Sequence, residues 1–516
     1  MRRLNKTLIA LCIASFCSTS FAAKHDAFAE LDQATIKAKR SQDEIKQEFY
    51  DYVNRLFDEY EAWRENYTHE LDQQRQTLIN QWGSAQMSDQ TTDVQYSEDD
   101  SVRQVVDYEN NTITVSVLVD ESVNNATAQQ LASQQLTLPE GATADLSQAQ
   151  VTKQTVDYSR EQEDKEKDFV LSQTYAQMNE YDIQADRLIA SNTGAPDDFI
   201  YQRAYQKKMA LLDEAKQRIA QIREQYRQKR KELGIPEPLS ISESQTVEET
   251  KPSASDVAKV TEDQATADLT VAATMEKYTQ VKPVKPDNLT PATSVKKEDK
   301  PVASASTMPQ KQSDATATPK KVINYKISLP NNSLAKRASH YQPLALQESD
   351  KWSIDSALVM AIMHSESAFR PEAKSFVPAF GLMQIVPTTA GHDVNRQVRH
   401  LDAPMKESDL YQPPINVETG TAYINILQTK YLKNIDNKQS LLYCTIAAYN
   451  TGAGNVARAF NSDRSTNINK ATQKINQLTP EQVYQTLMDN LPYDETKTYL
   501  KKVTSRLSLY QPKAAQ

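Results

Sequence analysis

From about Pro238 to Lys320 the chain consists mainly of Ser, Thr, Ala, Pro, Lys and Glu, with Tyr278 as its one aromatic residue and no glycine. Such a composition buries too little apolar surface to offset the entropy of ordering its backbone. Prolines and charges extend it, and the stretch is expected to be a disordered tether. The rest divides around it: an amino-terminal helical domain with a β-hairpin over residues 24–236, the linker over 237–320, and a second domain over 321–516. The expected class is mainly α, α+β overall.

Residues 1–23 have a different character. Arg2, Arg3 and Lys6 precede an apolar stretch from Leu8 to Phe16, followed by small residues ending at Ala22-Ala23. This is the pattern of a secretory signal peptide cleaved near Ala22/Ala23, and the apolar stretch falls short of the roughly 20 residues a bilayer span needs. Bulky Leu11 and Phe16 precede Cys12 and Cys17 where a lipoprotein signal needs a small residue, so lipidation is not expected. A processed chain then keeps Cys444 alone, which excludes an intramolecular disulfide; its apolar surroundings, LLYCTIAAY, point to buried packing. The net charge of −9, with both signs interspersed, offers no basic stripe for phosphates, and nucleic acid is not an expected partner.

In the amino-terminal part, Ala27 to Trp82 is helical in pattern, with Phe49, Val53, Phe57, Tyr60 and Trp63 or Trp82 near a 3.6-residue period. The run SVRQVVDYENNTITVSVLVDE alternates β-branched residues about Glu109-Asn110-Asn111 and predicts a hairpin. Residues 124–136 and 158–232 return to helix formers. Within the latter, EAKQRIAQIREQYRQKRKEL is expected as a solvated or self-associating helix rather than a basic binding patch.

After the tether, VINYKISLP at 322–330 predicts a short strand, and Leu334 to Tyr510 is helical with short turns. One helix is expected to start at Ser353 as N-cap and to stop before Pro371. Leu358, Ile362 and Glu366 are spaced by four along it, which sets a carboxylate on the core stripe. Partial desolvation there would raise its pKa, as a general acid near neutral pH requires. An exposed helix-terminal glutamate has the same spacing, so periodicity does not decide between the two. Downstream stand FGLMQIVPTTAG at 380–391, where Gly381 permits a tight turn and Gln384 offers an amide beside apolar surface, and IAAYNTGAGNV at 446–456, an apolar helix breaking after Asn450.

Taken in order, Glu366-Ser367, GLMQI at 381–385, AYN at 448–450 and ETKTYLKKV at 495–503 resemble the motifs of the lytic transglycosylases with a lysozyme-like catalytic domain. The resemblance implies a lysozyme-like α-helical domain over 321–516. It implies peptidoglycan glycan strands as substrate and cleavage without added water. Glu366 would be the catalytic acid and then base. Ser367, Met383, Gln384, Tyr449 and Asn450 would bind substrate or orient the helix end, and Tyr499 would hydrogen-bond Glu366. With the signal pattern it implies the periplasm of a Gram-negative bacterium, in association with the outer membrane or cell wall; the long charged amino-terminal helices add a cell-wall protein as an expected partner. No cofactor is expected, nor any metal, since His340, His364, His392 and His400 lack ligand spacing.

Two departures from the family pattern stand out: Phe376-Val377-Pro378-Ala379-Phe380 where small residues are common, and Thr451 where Gly or Ala is usual. Two rival readings stay open. One is a hydrolytic muramidase using Asp393 or Asp402 to activate water; the other is a glycan-binding scaffold.

Overall fold

The alternation from Val102 to Asp120 produces the expected hairpin, with β2 (Val102–Asp107) antiparallel to β3 (Thr112–Asp120) and Val106 opposite Ile113. Asn111 takes the left-handed conformation of the turn, with φ 56°, which asparagine tolerates better than most residues. In the computed structural model, which describes residues 42–136, 146–156, 158–190, 196–237, 320–330 and 332–511, β1 (Thr92–Tyr96) extends one edge of this hairpin. The other edge is taken by β5 (Lys320–Ser328), the strand expected after the tether, with β4 (Gln150–Thr155) beyond it. The antiparallel order is β1-β2-β3-β5-β4. One face packs Val106, Ile113, Val115, Ile323 and Tyr325 against Ala128 and Ala132 of α2 (Asn125–Gln135). The expected signal peptide and residues 238–319 of the expected tether lie outside the described residues.

The described residues from Val53 onward form one compact unit. Helix α1 (Gln42–Trp82) buries Val53, Phe57, Tyr60 and Trp82 and leaves Trp63 exposed, so the aromatic stripe is largely a packing face. It lies with α3 (Arg160–Ala190) and α4 (Asp197–Leu233), joined by Arg64–Glu214 at 2.8 Å, Asp72–Arg218 at 2.6 Å and the Arg75–Glu166 pair. The segment EAKQRIAQIREQYRQKRKEL keeps one face in solvent, with Lys216, Arg223 and Arg227 exposed, and buries the other. Ile219, Ile222 and Tyr226 are buried, and so are Arg218 and Arg230. Arg230 is neutralised by Glu163 at 2.9 Å. Periodicity missed this because a buried cation looks exposed until its distant partner is known.

The carboxy-terminal half is helical: α5 (Ser333–Trp352), α6 (Ser356–Ser367), α7 (Ala390–Gln397), α8 (Glu407–Leu410), α9 (Pro413–Ile426), a π-turn at Leu427–Tyr431, α10 (Lys438–Thr451), α11 (Ala453–Phe460), α12 (Ile468–Ile475), α13 (Pro480–Asn490) and α14 (Asp494–Tyr510). Ser353 is not the N-cap of α6. It closes α5 with φ 56°, and Asp355 caps α6 by accepting from the Ala357 N–H at 2.8 Å. Leu358, Ile362, Phe380, Val417, Ile446 and Leu500 share one core, and Cys444 is buried within it. Among the described residues no helix is long and apolar enough to cross a membrane.

Candidate active site

Helix α6 is buried from Ala357 to Ser367, packed between α5 and α14. Glu366 is therefore no exposed helix end: it is 8% exposed. Burial pushes its carboxyl up to about 8; Tyr499 and Lys502 hold the rise back, and the nearby Glu495 adds to it. Tyr499 is itself buried, and its hydroxyl lies near the Glu366 carboxyl without reaching hydrogen-bond geometry to it or to any other described group. Beyond Glu366 the backbone turns left-handed at Ala368 and Phe369, φ 48° and 64°, unusual for residues with a Cβ.

The GLMQI stretch is held to that helix end. The Ser367 hydroxyl is shared between the carbonyls of Leu382 at 2.8 Å and Met363 at 3.1 Å. Phe380 and Ile385 exchange backbone hydrogen bonds at 3.1 and 3.0 Å, closing the turn. Gly381 has φ 75°, and a Cβ there would meet Asn416 Nδ2 and Leu410 O at 2.4 Å. Asn416 braces the turn, accepting from Met383 N at 2.8 Å and donating to Phe380 O and Leu410 O at 2.7 Å. Gln384, left-handed at φ 47°, donates to Ala373 O and Gly381 O, which leaves its Oε1 buried and without a partner among the described residues.

These elements surround a cavity of about 290 Å³ lined by Glu366, Gln384, Tyr449, Asn450 and Glu495. Asn450 is anchored by Thr496, whose hydroxyl donates to its Oδ1 at 2.7 Å. Met383, expected to line the site, does not. Its side chain fills the core against Gly420, where a Cβ would lie 2.4 Å from the sulfur, and its carbonyl accepts the Tyr449 hydroxyl at 2.8 Å. Ser367 is likewise fully buried, with its hydroxyl spent on the two carbonyls, so it stands behind the wall together with Tyr499.

The opposite wall was not foreseen. It is helix α3, which contributes Phe169, Gln173, Ala176, Asn179, Glu180 and Ile183 to the cavity. Both departures from the family pattern meet this helix. The Thr451 hydroxyl donates to Asn179 Oδ1 at 2.7 Å. Phe376 accepts from Gln173 Nε2 at 3.0 Å and packs edge-on to Phe169, centroids 4.7 Å apart. Those two positions were the sequence signal that something covers the carboxy-terminal half here. The helix itself gave no clear signal, because its inward residues include Gln173, Gln177, Glu180 and Asp182.

Neither aspartate considered for activating water lines the cavity. Asp393 is paired with Arg187 at 2.8 Å and accepts from Tyr431 at 3.2 Å, and Asp402 pairs with His392 at 2.8 Å. Among the described residues no group of three or more His, Cys, Asp or Glu could hold a metal ion.

With this geometry in hand, residues 343–472 match the Transglycosylase SLT domain family. The chain is 46% identical over 179 residues to membrane-bound lytic murein transglycosylase C of Photorhabdus laumondii subsp. laumondii, covering 35% of this chain and 49% of that protein. It is 42% identical over 185 residues to the protein of the same name from Histophilus somni, covering 36% and 50%. The chain thus spans about half the length of the curated relatives it matches. Among solved structures, an inactive mutant of lytic transglycosylase Slt from Pseudomonas aeruginosa is 26% identical over 33% of this chain and 24% of its own, with a TM-score of 0.26.

Proposed function

We propose that this chain is a peptidoglycan lytic transglycosylase of the periplasm of a Gram-negative bacterium. It cleaves the β-1,4 bond between N-acetylmuramic acid and N-acetylglucosamine and leaves 1,6-anhydro ends. The observation that carries the reading is Glu366: a buried carboxyl, protonated near neutral pH, on the wall of a cavity lined by the amides of Gln384 and Asn450. The relatives named lytic murein transglycosylase point to the substrate.

In the proposed reaction Glu366 gives its proton to the glycosidic oxygen, and the bond from that oxygen to C1 breaks. The substrate's own acetamido oxygen stabilises C1. Glu366, now a carboxylate, takes the proton of the C6 hydroxyl as that oxygen closes on C1, and the acid is restored. One carboxyl serves both steps, whereas a hydrolase that flanks the bond with two acids needs one of them ionised. Asp393 is committed to Arg187 and neither Asp393 nor Asp402 lines the cavity, which favours the route without water.

A cell-wall protein partner would meet the outer faces of α1 and α4, since α3 is engaged with the catalytic half; crosslinking of the full chain in intact envelopes tests this. The activity itself is tested by mass analysis of products from purified sacculi. Wild type is expected to release anhydro muropeptides, and Glu366→Gln to be slower by roughly 10²–10⁴-fold, the scale of a lost general acid and base. Products heavier by one water would identify a hydrolase instead.

A further inference from the structure

Helix α3 brings a second buried carboxyl to the cavity. Glu180 is 4% exposed and lines the same space as Glu366. Thr389 hydrogen-bonds the carboxyl, yet its Oε1 has no partner among the described residues. Arg187, a neighbouring cation, is already taken by Asp393 and the carbonyl of Thr388. Gln384 Oε1, on the wall of the same cavity, is also buried without a partner among the described residues. Bare buried acceptors are rare in folded proteins, and two around one cavity call for a ligand that donates hydrogen bonds.

The surroundings narrow the ligand further. Ala176 and Ile183 lie one turn to either side of Glu180 on α3 and line the cavity with it, as does Ala390, which follows Thr389. An acceptor oxygen among small apolar groups fits an acetamido substituent: its N–H donates, its methyl packs, and it brings no charge to be desolvated. A plain sugar hydroxyl would leave the apolar part unfilled. Glu180 lies outside residues 343–472, the part matched by the SLT family.

We propose that Glu180 is a specificity-determining residue of the cleft, its Oε1 accepting a hydrogen bond from the acetamido N–H of an N-acetylated sugar bound beside the Glu366 site. The inference rests on the glycan-cleaving reading above and extends it to a residue of the amino-terminal half. Burial pushes Glu180 up to about 7. Its carboxyl oxygen accepts in either protonation state, so the role does not depend on charge.

The test is calorimetric binding to the full chain carrying Glu366→Gln, which prevents turnover. The probes are N-acetylchitohexaose and cellohexaose, which has hydroxyls in place of acetamido groups. The parent is expected to prefer the N-acetylated probe. Glu180→Met, which keeps the volume without the acceptor, should reduce that preference by about five- to tenfold, the worth of one hydrogen bond. Glu180→Gln, which keeps an acceptor and the Thr389 contact, should retain it within about twofold. A preference unchanged in Glu180→Met, or equal weakening of both probes, overturns the proposal. Wild type digesting sacculi in parallel separates the two readings: no anhydro products overturns the function, whereas anhydro products with an unchanged preference overturn only the role of Glu180.

Discussion

A glutamate on a buried helix differs from one on the surface chiefly in the cost of its charge, and Glu366 shows how neighbours tune that cost. Burial is the largest effect and raises the carboxyl to about 8; Tyr499 stabilises the charged form and lowers it, while Glu495 raises it. Because the acid must be protonated to act, activity should be full below about pH 8 and fall about tenfold per unit above it. Tyr499→Phe removes the hydroxyl that favours the carboxylate, so the alkaline limb should move to higher pH. Glu495→Gln removes a neighbouring acid that disfavours ionisation, so the limb should move to lower pH. A pH–rate profile of the variants checks both signs, and limbs that stay put would show that these residues only support the fold. At this scale the sequence was informative about identity and silent about environment. The motifs singled out Glu366, but its spacing suited an exposed helix end equally well. Met383 stood in the expected motif and still proved to be core, since sequence order does not say which way a side chain leaves a turn.

At the level of elements, the site is a helix end, a turn and a second helix end held in register. Helix α6 supplies the acid, the turn from Phe380 to Ile385 supplies Gln384, and the end of α10 supplies Tyr449 and Asn450. Asn416 on α9 ties this turn to the end of α8 by satisfying Met383 N, Phe380 O and Leu410 O. Asn416→Ala would leave Met383 N and Leu410 O bare, at a cost of about 2 kcal/mol. Denaturant unfolding should register that loss, and turnover on peptidoglycan should fall at least about tenfold as Gln384 loses its position. An Asn416→Ala protein with wild-type stability and rate would mean the turn holds itself. The helical character of this half was legible from its apolar period, a local property, whereas the start of α6 was misplaced at Ser353 because Ser353 and Asp355 are both capping residue types. Asn416 was not, because its three partners lie up to 36 residues away.

Across the whole molecule, residues on either side of the expected tether share one sheet and one cavity. Strand β5 pairs with β3 from Thr112↔Ser328 to Asp120↔Lys320, and α3 faces the site through Gln173, Asn179 and Glu180. A protease site introduced between residues 238 and 319 should therefore cut the chain without parting it. The two fragments should co-elute in gel filtration and retain turnover within about twofold; fragments that separate would show that the covalent tether holds the halves together. What the sequence determined by itself was local: helical and strand periods, the hairpin turn, the low-apolar stretch, and the ordered motifs that resemble one family. Only the tertiary structure decided that Glu366 is desolvated, that Arg218 and Arg230 are buried beside carboxylates, and that α3 forms the far wall of the cleft. The reason is physical. Periodicity and capping act over a few residues of chain, whereas burial, pKa and the pairing of charges depend on groups brought together from distant parts of it.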